Sequence, residues 1–150
     1  MRKGTLDSID LQIIKMLQED ARTSLKEVAS AVYISSPAVS TRIERLKDEG
    51  FIKGFHAFVD PEMLGYHIKA FISVDVSTED KPAFVDFVEK CSNVIECNCV
   101  TGEYSMILEV LFKRTVDLDS FIGQLGKFGK TKTDIVFSIF IECRNIHAEG

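Results

Sequence analysis

Residues 35–50 read SSPAVSTRIERLKDEG. Ser35 or Ser36 can cap a helix, because a serine oxygen accepts from a main-chain N–H left unpaired in the first turn. Pro37 suits that turn, where its missing donor costs little. Gly50 stands where a helix end favours a left-handed residue. Val39, Ile43 and Leu46 make one apolar stripe. At about 100° per residue, Pro37, Ala38, Thr41, Glu44 and Arg45 point away from it, with Ser40 and Arg42 on its flanks. The outward side offers small residues, hydroxyls and a guanidinium. Small residues let a backbone approach a DNA groove, hydroxyls bond phosphates or base edges, and arginine binds guanine or phosphate. A solvated face on an ordinary helix reads the same in isolation, so the neighbouring segments decide.

Upstream, residues 6–20 (LDSIDLQIIKMLQED) carry Asp7 as an N-cap, Asp10 three positions on, and an apolar series at Ile9, Ile13, Ile14 and Leu17. Ser24 and Glu27 have the spacing of a capping box. Leu25, Val28, Ala29 and Val32 follow at helical spacing. Only Tyr33-Ile34-Ser35 separate this second helix from the third, which requires a tight turn. Three helices, the last two joined so closely, make a helix-turn-helix whose third member meets DNA. Downstream, residues 51–65 (FIKGFHAFVDPEMLG) contain the turn signal Lys53-Gly54 and then Pro61, as expected for a short strand pair, or wing, and a linker. The expected organisation is a DNA-binding domain over residues 1–54, a β linker over 55–66, and a second domain over 67–150.

That second domain alternates strand and helix patterns. Ile68, Ala70, Ile72, Val74 and Val76 share one face of a strand. Pro82, Phe84, Val85 and Val88 mark a helix with the three apolar residues inside. VIECNCV and SMILEVLF read as strands joined by the turn TGEY, and Leu118, Phe121, Ile122 and Leu125 line a second helix. A last strand runs over residues 133–143, with Ile135, Phe137, Ile139 and Ile141 on one side and Val136 and Phe140 on the other. The order β-α-β-β-α-β is ferredoxin-like, one sheet with two helices on one face, and the whole chain is α+β. Apolar residues on a sheet face that no helix covers predict a partner chain.

At 150 residues, with 45% hydrophobic and 27% charged residues, the chain has the composition of a globular protein. No apolar run approaches the ~20 residues of a membrane span, and no apolar segment follows Arg2 and Lys3 as in a signal peptide. A cytoplasmic protein without membrane attachment is expected. The net charge of −5 is uneven. Residues 1–55 hold nine Lys and Arg against eight Asp and Glu, a balance of +1; the remainder holds nine against fifteen, a balance of −6. Such asymmetry suggests two parts with different partners. No G-x-S-x-G, phosphate loop or H-E-x-x-H is present, so neither an enzyme nor a cofactor is expected. Cys97 and Cys99 share a strand face near Cys91, but no second ligand pair completes a metal site, and buried free thiols are commoner in such cores.

The segments LDSIDLQIIKMLQEDARTS, EVASAVYISSPAVSTRIERLKDEGFIKGFHAFVDPEMLG, VTGEYSMIL and TKTDIVFS, in this order, resemble the Lrp/AsnC, or feast/famine, family of transcriptional regulators. The resemblance runs from about Leu6 to about Ile146. It implies binding to double-stranded DNA, with Ser35, Ser36, Pro37, Ser40, Thr41, Arg42 and Arg45 on the recognition helix. It implies a homodimer assembling to a tetramer or octamer through the C-terminal domains. It also implies a small-molecule effector, usually an amino acid, at a site including the turn Gly102, Glu103, Tyr104 and Ser105 and the facing Thr131, Thr133 and Asp134. Two residues depart from the family pattern. Tyr33 stands where the helix-turn-helix turn usually has glycine, so strain is expected there. Ser105 stands where the effector turn commonly has aspartate, leaving Glu103 or Asp134 to meet an ammonium group. The function expected is a sequence-specific regulator whose assembly or DNA occupancy responds to that effector. The alternatives are a DNA-organising protein of the same fold without an effector, and a metal- or thiol-redox-sensing regulator using Cys91, Cys97 and Cys99.

Overall fold

The computed structural model describes residues 4–146. Two compact units are present: one holds the residues up to Phe58 together with those from Ile141 on, and the other holds Val59–Phe140.

The first unit contains α1 (Ser8–Glu19), α2 (Leu25–Val32) and α3 (Ser36–Asp48). Each starts where side chains replace missing helix partners. Asp7 and Asp10 close a capping box on α1, Ser24 and Glu27 one on α2, and the Ser35 hydroxyl accepts from the Ala38 N–H on α3. Ile13, Val28, Val39 and Leu46 are fully buried at the centre, and Leu17, Val32 and Ile43 close around them. The turn after α2 rests on Tyr33, which has φ 56° and ψ 39° and projects its ring into solvent, 93% exposed. The expected left-handed position is therefore occupied by a residue with a Cβ, a conformation costing about 1–2 kcal/mol.

Over the expected wing and β linker this single chain forms no paired strands. Between Phe51 and His67 the one regular feature is a 3-10 turn at Glu62–Leu64. A two-stranded hairpin needs a third strand or a covering helix to be stable, and Phe58 and Val59 lie exposed here.

The second unit contains β1 (Ile68–Val74), α4 (Lys81–Glu89), β2 (Val94–Cys99), β3 (Met106–Phe112), α5 (Thr115–Leu125) and β4 (Thr131–Ile135). The sheet order is β2-β3-β1-β4 with every pair antiparallel, as the ferredoxin-like pattern requires. Ala70, Ile72 and Val74 of β1 and Leu108 and Val110 of β3 are buried on the helix side against Phe84, Val88, Leu118, Phe121 and Leu125. Val85, expected inside, is exposed; Phe87 packs instead, stacked on Phe121 and in contact with Phe128.

The last strand is shorter than expected. β4 pairs with β1 up to Ile135 opposite Ala70, and the Val136 N–H donates to the Lys69 carbonyl. β1 ends at Ile68, so the residues after Val136 leave the sheet. Residues 141–146 belong with the first unit, where the Gln18 amide donates to the Ile146 carbonyl and accepts from its N–H at 3.1 and 3.0 Å. Among the described residues no helix is long and apolar enough to cross a membrane.

Candidate nucleic-acid interface and effector turn

On α3 the apolar stripe seats as its spacing requires, and Pro37, Thr41 and Glu44 are exposed. The Thr41 hydroxyl donates to the Pro37 carbonyl at 3.0 Å, which leaves its oxygen lone pairs and methyl group outward. Glu44 is engaged by Lys47 one turn on.

The two arginines behave differently from their helical-wheel positions. Arg45, expected to point outward, turns its guanidinium back to α1, where Nη2 donates to Asp10 Oδ2. Arg42 Nη1 donates to Asp10 Oδ1 and Asp7 Oδ2, both at 2.7 Å. Asp10 is fully buried. Burial pushes its carboxyl up, but the bonds from Arg45, the Asp7 main chain and Arg42 outweigh that and hold it at about 2. The arginines remain partly accessible, with side-chain exposures of 29% and 35%. Asp10 was legible only as a capping residue; nothing in local spacing joins it to arginines 32 and 35 positions away.

The effector turn gathers some of its expected residues and separates others. Gly102 has φ 129°, a conformation that favours glycine. Glu103 pairs with Lys130 at 3.0 Å, and the Lys130 ammonium also lies 5.7 Å from the Tyr104 ring centre. The bond from Glu103, with the nearby Tyr104, raises the pKa of that ammonium. Ser105 faces inward. Its hydroxyl donates to the Val76 carbonyl and accepts from the Val76 N–H, both at 2.9 Å, clasping the start of β3 to the segment after β1. Thr131 and Thr133 stand opposite Val74 and Ile72 and share their side of the sheet, whereas Asp134 stands opposite Phe71 on the other side, paired with Lys132. Gly129 precedes this strand with φ 156°, and a Cβ there would collide with the Asp75 carbonyl oxygen. Sequence reasoning missed Lys130, whose role depends on the fold of the turn.

The helix-free side of the sheet carries Phe71, Ile107 and Leu111, with Lys69 bonded to Glu109 at 2.7 Å among them. Phe137 and Phe140, just past β4, are almost wholly exposed.

The cysteines are free. The Cys91 thiol donates to the Phe87 carbonyl, and Lys81 Nζ lies 3.6 Å from Cys99 Sγ. Burial pushes the Cys91 and Cys97 thiols up, away from the reactive thiolate. Among the described residues no group of three or more His, Cys, Asp or Glu could hold a metal ion.

A helix-turn-helix unit followed by an α/β domain with a four-stranded antiparallel sheet is the architecture of a DNA-binding regulator with an attached ligand-binding domain. Residues 6–53 match the family described as winged helix-turn-helix DNA-binding, and residues 69–146 match the Lrp/AsnC ligand binding domain. The chain belongs to the Lrp/AsnC family of transcriptional regulators and is not an enzyme. It is 34% identical to the HTH-type transcriptional regulator FL11 of Pyrococcus furiosus over 83% of this chain and 82% of that protein. The structure of E. coli AsnC superposes with a TM-score of 0.87 at 29% identity, covering 97% of this chain and all of that one. A Neisseria meningitidis transcriptional regulator, solved as its L-Met complex, superposes with a TM-score of 0.84 at 26% identity, covering 92% of this chain and 94% of that one.

Proposed function

We propose that this regulator binds DNA sequence-specifically as a homodimer that assembles further, to a tetramer or octamer, and that a small effector, an amino acid, changes its DNA occupancy. α3 enters the major groove, with Ser35, Ser36, Pro37, Ser40, Thr41, Arg42 and Arg45 at the duplex. Two such helices a DNA turn apart, or a multiple of it, favour a palindromic site. The helix-free sheet face supports the dimer: Phe71, Ile107 and Leu111 are apolar groups that a second copy would cover.

The effector half rests on one observation. Around the Gly102–Ser105 turn, Glu103 and Lys130 present opposite charges to solvent, as a zwitterion's ammonium and carboxylate require, with Thr131, Thr133 and Asp134 on the nearby strand. The structurally similar Neisseria meningitidis transcriptional regulator was solved with L-Met, which supports an amino acid as the class of ligand. A ligand acts only through different affinities for two assembly states. The test is a thermal-shift screen of the purified chain against the twenty amino acids, with oligomer mass measured by light scattering for every hit. An amino acid that raises Tm and changes the mass supports the proposal. No shift across the panel overturns the effector half and favours the second reading, a DNA organiser without effector response. That reading draws on Ser105, whose hydroxyl is already bonded to the Val76 main chain.

A further inference from the structure

Asp10 is the one buried polar side chain among the described residues. Its carboxylate accepts from the Asp7 N–H, Arg42 Nη1 and Arg45 Nη2, so a single group on α1 grips two residues one turn apart on α3. The stripe of Val39, Ile43 and Leu46 holds α3 by non-directional burial, which tolerates a small roll of the helix. Charge-assisted hydrogen bonds are directional and do not. The apolar stripe selects the inward side of α3, and these bonds restrict its roll about that orientation.

Asp10 also ties down one terminal nitrogen of each arginine. Reading guanine takes two free guanidinium donors aimed together at the O6 and N7 atoms. Arg42 Nη1 serves two carboxylates, Arg45 Nη2 serves Asp10, and Arg45 Nη1 lies 3.9 Å from Glu49. A partly exposed guanidinium anchored at one nitrogen keeps N–H groups for a phosphate oxygen, but it is not free to swing and line up a donor pair on a base edge.

We infer that Asp10 is a positioning residue for DNA recognition: it holds Arg42 and Arg45 as a fixed pair of phosphate contacts and leaves base discrimination to Ser40 and Thr41. This rests on the placement of α3 against DNA proposed above.

The full chain selects a preferred duplex from a random-sequence library. Binding is then measured across salt concentrations to that duplex, to single-base-pair variants of it and to a scrambled duplex. Arg42→Ala and Arg45→Ala are each expected to weaken the selected and scrambled duplexes by the same factor, about tenfold at low salt, and to lower the salt slope by about one. Ser40→Ala and Thr41→Ala change the ratio between the selected duplex and its single-base variants. Asp10→Asn removes the negative charge that anchors both guanidiniums, so scrambled DNA binds more tightly while the specificity ratio falls, at a temperature where circular dichroism shows the variant folded. If Asp10→Asn does not fold, the arginine variants decide. An arginine variant that relaxes preference at one base pair, with scrambled binding unchanged, overturns the inference. So does an Asp10→Asn protein that loses only Tm, with ratio and slope intact. Unchanged binding in every α3 variant overturns the placement of α3 itself, and this inference with it.

Discussion

At the scale of single residues, Asp10 and Ser105 both use their polar groups internally. A carboxylate with no solvent exposure survives ionised only because three donors replace its water. Its pKa of about 2 lies below the ordinary 3.8, so the folded chain binds the Asp10 proton more weakly than the unfolded chain does. Stability from this group is therefore present in full above about pH 4 and is lost as pH falls through about 2. The shift corresponds to about 2 kcal/mol. Urea unfolding followed across this range should show the wild type losing that increment. The same series on Asp10→Asn, less stable at neutral pH, should lack it. An equal acid loss in both proteins would show that other carboxylates carry the effect. Ser105 is the subtler case. Aspartate at this position in the family would offer a charge, whereas this serine ties two segments of main chain together.

At the scale of elements, the α2–α3 turn carries a local cost. Tyr33 sits in the left-handed region with its ring in water, so it contributes no packing to offset the strain. Tyr33→Gly should raise the stability of the helix-turn-helix unit by about 0.5–1 kcal/mol, less than the strain alone because glycine gives the unfolded chain more freedom. A rise in the urea midpoint with unchanged helicity is the expected result; a fall would mean the Tyr33 ring makes a contact in the assembled protein. Helix signals were well legible in the sequence because caps and 3.6-residue stripes are local: Asp7 and Ser24 start α1 and α2 as read, and Ser35, one of the two serines read as caps, starts α3. Strand signals over residues 51–58 and 136–143 were not, since a strand exists only where another backbone is available to pair. Past the Val136 bond to Lys69, the apolar alternation soon runs beyond the end of β1 at Ile68.

At the scale of the whole molecule, one side of the sheet is finished and the other is not. Helices α4 and α5 bury the inner side, while Phe71, Ile107 and Leu111 lie on the face opposite those helices, and Phe137 and Phe140 are exposed just past β4. Phe71→Glu places a charge on that face without touching the core. Sedimentation velocity should show it shifting the assembly toward monomer, with DNA affinity falling because two half-sites are no longer bound together. An unchanged sedimentation coefficient would move the interface elsewhere, to the segment bearing Phe137 and Phe140.

Composition, capping residues and hydrophobic period were enough, by themselves, to determine two units, the helix-turn-helix, the ferredoxin-like order and the face of α3 that seats inward. These follow from interactions within a few residues and from the sidedness of burial, both written along the chain. Tertiary structure alone decided that Asp10 holds Arg42 and Arg45, that Ser105 clasps Val76, that Glu103 meets Lys130, and that Ile146 returns to Gln18. Each joins groups between 27 and 128 positions apart. A charged or polar side chain takes whichever partner the fold brings within hydrogen-bond reach, and no local pattern encodes that choice.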